Sequence, residues 1–325
     1  MANEFTYRAD HAGSLIPPPA LIETRAMYAR GEIGATGLQE AENAAVKSAV
    51  EMQRSAGIAV ATDGGFRRAE AAAVPLDGNR LATSEAAFLR TLTRRPIKVA
   101  VPAAPRPQAS EPLTRALRRP DVVRREIEAL IAAGVDYIQL DASGYAALFD
   151  SQQRAALQAQ GIDPDRRLDE LLKLDTSALS GIKRPSNVRI AVYLDPGAED
   201  AFWRSISGYE ALAERLFTQL PVDRFLLPFD GTSAVDFEPL RLVPKGKLVV
   251  LGLVSATTSA LEDADKLMAQ LDLAAKLIDG DNLALSPASG FAAAGKSSGQ
   301  MSEPDQRRKL ELVADVATRW WGFEM

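Results

Sequence analysis

Eight short apolar runs, each closing on polar or turn-forming residues, recur along this chain. They are Tyr7 to Ser14, Ile58 to Gly64, Ile97 to Pro102, Tyr137 to Asp141, Val188 to Asp195, Phe225 to Asp230, Leu248 to Ser255 and Leu283 to Ser289. Stretches long enough for at least one helix separate most of them. Strands alternating with helices predict a parallel sheet, and eight such units predict a single-domain (β/α)8 TIM barrel spanning residues 1–325. Barrels of this kind build their sites at the C-terminal ends of the strands. Those ends nominate His11, Ser14, Asp63, Gln139, Asp141, Tyr193, Asp195, Asp230, Ser255, Ser286 and Ser289.

The helical stretches carry apolar residues at helix-like spacing. Gln39 to Ala56 has Ala45, Val46, Ala49, Val50 and Met52 on one stripe, and Ala116 to Gly134 has Val122, Val123, Ile127, Leu130 and Ile131. Tyr209 to Leu220 and Ser259 to Ile278 repeat the pattern, and Glu303 to Trp321 opens with Pro304 in its first turn, where helices tolerate proline. Pro17-Pro18-Pro19 stops the first run. Two connections, Phe66 to Pro96 and Ala142 to Asn187, exceed what a simple barrel needs and are expected as excursions after strands 2 and 4.

Composition narrows the function classes. A net charge of −5 argues against a nucleic-acid partner. The chain has no cysteine and one histidine, so it offers neither a thiolate metal site nor a histidine cluster. No run approaches the roughly 20 apolar residues of a membrane span, and the N-terminus has no secretory h-region, so a cytoplasmic location is expected. The expected partner is a small-molecule substrate. Oligomeric state is left open.

The strand-end residues suggest chemistry. His11 suits acid-base work near neutral pH. Gln139 and Asp141 are two apart on one strand and share a face, as do Tyr193 and Asp195. Asp63, Asp141, Asp195 and Asp230 together offer oxygen ligands of the kind Mg²⁺ or Mn²⁺ prefers, a minor alternative to a site with no cofactor. Arg67, with Arg68, is placed to clamp a substrate carboxylate. Gly290 to Ser297, GFAAAGKS, matches the P-loop pattern literally, but Ser298-Gly299-Gln300 separates it from the next helix, so the match is read as chance. Lys296 remains a candidate contact for a substrate anion.

Several blocks resemble the catalytic domain of the cobalamin-independent methionine synthase family, within the wider group that includes uroporphyrinogen decarboxylase. The blocks are RADHAGSL (Arg8 to Leu15), TDGGFRR (Thr62 to Arg68), YIQLD (Tyr137 to Asp141), GYEALAERLF (Gly208 to Phe217), FEPLRLVPKGKLVVLGLVS (Phe237 to Ser255) and LALSPASGFAA (Leu283 to Ala293). The resemblance runs from Arg8 to about Gly322 and independently implies a barrel. That family activates a thiol on zinc held by a histidine and a cysteine two apart, a glutamate and a second cysteine. The corresponding positions here read Tyr193, Asp195, Pro228 and Ser289. The acidic residue of the family's "DGE" block reads Gly65, and the acidic pair after the fourth strand is reduced to Asp141-Ala142. The resemblance therefore implies a member without the zinc ligands. The leading expectation is acid-base lyase or decarboxylase chemistry on a small anionic substrate, carried by His11, Asp141, Tyr193 and Asp195. The alternatives are an alkyl transferase without zinc and a non-catalytic binding paralogue.

Overall fold

In a computed structural model, residues 7–67, 81–103, 119–146, 148–194, 210–229, 234–292 and 301–322 are described. Six parallel strands form one sheet in sequence order: β1 (Lys98–Pro102), β2 (Tyr137–Asp141), β3 (Arg189–Tyr193), β4 (Arg224–Pro228), β5 (Leu248–Val254) and β6 (Leu283–Pro287). Each corresponds to one of the apolar runs. A parallel strand covered on both faces needs a continuous apolar run, and β5, LVVLGLV, is buried at every position.

The helices are α1 (Pro19–Ala29), α2 (Ala35–Ser55), α3 (Leu81–Leu92), α4 (Pro120–Ala132), α5 (Ser143–Ala146), α6 (Ser151–Ala159), α7 (Pro164–Leu179), α8 (Glu210–Gln219), α9 (Ala264–Ala274) and α10 (Glu303–Trp321). The long connection after β2 holds α5, α6 and α7. Of the other excursion, α3 is described and residues 68–80 are not. Helix contacts run from α2 through α3, α4, α7 and α8 to a 3-10 segment (Ala234–Leu242), then α9, α10 and back to α2. Local signals set the ends. Ser302 and Asp305 form a capping box at the start of α10, and Asp163 and Asp263 cap α7 and α9.

The first two runs differ from expectation. Neither is a strand: each makes a single parallel bridge, Ala9 to Leu285 on β6 and Ala61 to Ile97 beside β1. Side chains take the backbone groups that a ladder would need. The His11 N–H donates to Asp10 Oδ1 at 2.8 Å, and the His11 carbonyl accepts from Lys98 Nζ at 2.7 Å. In the second run, Gln53 on α2 takes both the N–H and the carbonyl of Thr62, at 2.9 Å each. Tyr7, with φ at 48°, turns the chain out of extended geometry where the first run begins. The two runs still touch, because Ala59 N donates to Ala9 O at 3.3 Å.

Between these runs and the sheet lies a buried polar core. Lys98 Nζ is 2.8 Å from Asp10 Oδ1, with side-chain exposures of 1% and 0%. Tyr137 OH donates to Asp10 Oδ2 at 2.8 Å. The Arg224 guanidinium lies 4.8 Å over the Tyr7 ring and 5.0 Å over the Tyr137 ring. Burial penalises the Asp10 charge, but the Lys98 ammonium, with smaller contributions from His11 and Arg224, holds the carboxyl below its ordinary range.

Removing one member of a buried pair strands the other charge. Lys98→Met is expected to destabilise the protein by about 3–5 kcal/mol, and Asp10→Asn in the same chain should recover part of that loss. Urea denaturation of the single and double variants checks this. A single variant within 1 kcal/mol of the parent would show that the pair carries little of the fold.

Candidate functional site

The strand register sets the site. Pro102, Asp141 and Tyr193 are direct neighbours across β1, β2 and β3, with Ala100, Gln139 and Ala191 one pleat below. Gln139 Nε2 donates to Asp141 Oδ1 and to Ala12 O, both at 2.8 Å. One amide thus ties the end of β2 to the loop that carries His11. Gln139 is wholly buried, and its Oε1 has no hydrogen-bond partner. Tyr193 is also buried, its OH 3.3 Å from Ala288 O after β6.

His11 lies deeper than a residue at an open mouth, with 1% of its surface exposed. Its Nε2 is 3.0 Å from Gln53 Oε1, and its Nδ1 is buried without a partner. Burial, reinforced by the nearby Lys98 ammonium, pushes the imidazole down to about 4, so at neutral pH the ring is uncharged.

Ser14 lies against the loops after the second run and after β6. Its Cβ is 3.8 Å from where a Gly65 side chain would begin, and its Oγ occupies the space of a Gly290 Cβ. A side chain at Gly290 would displace the Ser14 hydroxyl. Asp63 is 7% exposed; its Oδ1 accepts from Gly65 N at 3.0 Å, and Oδ2 has no partner. Ser289, half-buried, stands one residue before Gly290. Ser286 is buried, with its Oγ donating to Pro287 O at 2.9 Å.

Two nominated residues are held elsewhere. Arg67 donates to Asn43 on α2 and lies 4.6 Å over the Phe88 ring, so α2 and α3 hold it. Ser255 belongs to a separate cluster. Its N–H donates to Glu262 Oε1 at 2.9 Å, and Glu262 pairs with the buried Lys309 of α10. Asp195, Asp230 and Lys296, with Arg68, lie outside the described residues. A cleft of about 400 Å³ between Leu15–Pro18, α2 and the start of α10 is lined by none of the nominated residues.

Asp10, Gln53, Lys98, Tyr137 and Arg224 shape this region and were not among the nominated residues. One signal was available. In α2 the buried positions are Ala45, Val46, Ala49, Val50 and Gln53, which places a polar residue on the apolar stripe. Lys98 and Arg224 likewise are buried at the first positions of β1 and β4, where an unpaired cation is costly.

Of the four positions that correspond to zinc ligands in the resembled family, three are described, and none of the three carries a thiolate, imidazole or carboxylate. Pro228 has no donor atom, Tyr193 OH is turned to a backbone carbonyl, and Ser289 is a hard, neutral oxygen. Among the described residues, no group of three or more histidine, aspartate or glutamate side chains is placed to hold a metal ion. No described helix is long and apolar enough to cross a membrane.

No family model matches the chain. Two Bacillus subtilis (strain 168) proteins, YxjH and YxjG, are 27% and 28% identical to it, covering 97% of this chain and 95% of each relative. Among solved structures, a candidate vitamin-B12-independent methionine synthase from Listeria monocytogenes superposes with a TM-score of 0.74 at 24% identity. That match covers 98% of both chains. A B12-independent methionine synthase from Shewanella sp. W3-18-1, in complex with selenomethionine, gives 0.73 at 21% identity, covering 96% of this chain and 97% of that one. The fold is therefore methionine-synthase-like. The finding also corrects the lyase expectation, because both solved structures are named for a transferase activity and neither for a decarboxylase.

The buried neutral His11 makes stability depend on pH. Its folded value of about 4 lies below the 6.5 of an unfolded histidine, so its contribution is complete above pH 6.5 and is lost as pH falls toward 4. The loss is about 3 kcal/mol, from roughly 1.4 kcal/mol per unit. The depressed Asp10 carboxyl acts in the same direction at lower pH. Urea denaturation between pH 4 and 7 should show this slope, and His11→Asn should flatten its upper part. An equal slope in both proteins would contradict the assignment.

Proposed function

We propose that this protein is an alkyl transferase on a closed (β/α)8 barrel of the methionine-synthase type. It activates its acceptor with protein groups in place of zinc. Closure is supported by the bridges from the first run to β6 and from the second to β1, by the Ala59–Ala9 bond between the two, and by the return of the helix contacts from α10 to α2. The observation that carries the functional reading is the end-to-end match to structures named methionine synthases, one of them holding selenomethionine. A sulfur- or selenium-bearing amino acid is accordingly the proposed acceptor or product class.

Without zinc, an acceptor X–H still has to lose its proton as X attacks the alkyl carbon. Asp195, two residues beyond Tyr193, is proposed to take that proton. The donor then leaves with the electron pair of the broken bond, which suits a cationic donor such as a sulfonium. Gln139 and Asp141 orient the acceptor, and His11 Nδ1 accepts a hydrogen bond from it. Fixed acceptors in a dry site need no reorganisation as the reaction proceeds.

Chelator-treated protein is expected to form a labelled thioether from a labelled methylsulfonium donor and a thiol amino acid. Asp195→Asn should lower turnover by ~10²–10⁴-fold, the usual contribution of a general base. Elemental analysis should find far less than one zinc per chain. Activity that disappears with chelator and returns with zinc would refute metal-free activation, and no transfer to any thiol acceptor would refute the transferase reading.

A further inference from the structure

We infer that Gln53 is a positioning residue: it fixes His11 as the Nε2–H tautomer and leaves Nδ1 as a buried hydrogen-bond acceptor beside the strand ends. The inference deepens the proposed site, but its test needs no substrate.

The Gln53 amide is held on both ends. Its Nε2 donates to Ala49 O at 3.0 Å and to Thr62 O at 2.9 Å, while its Oε1 accepts from Thr62 N at 2.9 Å. Rotating the amide by half a turn would set Oε1 against two carbonyls and the NH₂ against an N–H. The backbone of α2 and of the second run therefore fixes which end is oxygen. That oxygen faces His11 Nε2 at 3.0 Å, so Nε2 must carry the proton. The ring is neutral at ordinary pH, which leaves Nδ1 with a lone pair, and Nδ1 is buried with no partner. The charged groups around the ring are accounted for. The Lys98 ammonium binds the His11 carbonyl and Asp10 Oδ1, and Asp10 in turn accepts from the His11 N–H.

The same region holds two other buried oxygens without partners, Gln139 Oε1 and Asp63 Oδ2. Gln139 is bonded to Ala12, next to His11, and Asp63 follows Thr62, which shares Gln53 with His11. Native interiors rarely leave buried acceptors unsatisfied, so each of these atoms calls for a donor from a bound water or from a ligand.

His11 is the chain's single histidine, so its ring nitrogens can be read without assignment. Protein labelled with ¹⁵N-histidine is expected to show one tautomer in a long-range ¹H–¹⁵N spectrum at pH 7, with Nε2 protonated and Nδ1 not. A protonated Nδ1, or an averaged mixture, would overturn the inference. Gln53→Glu keeps an acceptor facing Nε2; it should hold the tautomer and move the titration midpoint upward. Gln53→Met removes the acceptor and should abolish the single tautomer; an unchanged spectrum would overturn the role of Gln53. Should Gln53→Met fail to fold, the parent and Gln53→Glu spectra still decide. Because no substrate is present, failure of alkyl transfer and failure of this assignment are separate results.

Discussion

A single ion pair, Asp10 with Lys98, sits where three parts of the chain meet. Lys98 opens β1, Asp10 belongs to the first run, and Tyr137 of β2 donates to the same carboxylate. The pair also holds His11 by both backbone groups, Asp10 taking its N–H and Lys98 its carbonyl. Two charges taken out of water repay their desolvation only with further hydrogen bonds, and here each finds them. The cost of this arrangement is a regular first strand. Its gain is that a residue at the site is clamped by the interior of the molecule instead of hanging from a loop.

The same exchange recurs at the second run, where Gln53 replaces ladder bonds at Thr62. Both irregular runs border the sheet on the sides where His11, Ser14 and Asp63 gather. Rigid acceptors at these ends, one of them a neutral imidazole, suit a reaction that needs an acceptor group oriented and desolvated. They suit it without a thiolate-held metal, for which the chain has no cysteine. Of the residues that differ from the resembled family, Tyr193 and Pro228 are buried and Ser289 is half-buried.

Much of this was legible in the chain. The six strands fall on six of the eight apolar runs, because a parallel strand buried on both faces can hardly be written any other way. α10 spans Glu303–Trp321 as expected, since its proline and its capping residues are local signals. Gln139 and Asp141 share a face as their two-residue spacing requires. By contrast, the first and second runs read as strands and are not. What interrupts them is side chains: Lys98 reaches the His11 carbonyl from 87 residues away, and Gln53 reaches Thr62 from a neighbouring helix 9 residues back, and the apolar pattern of the runs announces neither.

The sequence by itself determined the parallel α/β architecture, the positions of its six strands and of α2, α4, α8, α9 and α10, and the absence of cysteine thiolates. Those follow from periodicity, from local caps and from residue identity, all of which act within a few residues. Tertiary structure alone decided that His11 is buried and neutral, that Arg67 and Ser255 bond to other clusters, and that Gln53 faces the His11 ring. Each of these depends on which distant groups share one desolvated volume. Hydrogen bonds and pKa shifts follow that shared environment, and spacing along the chain does not record it.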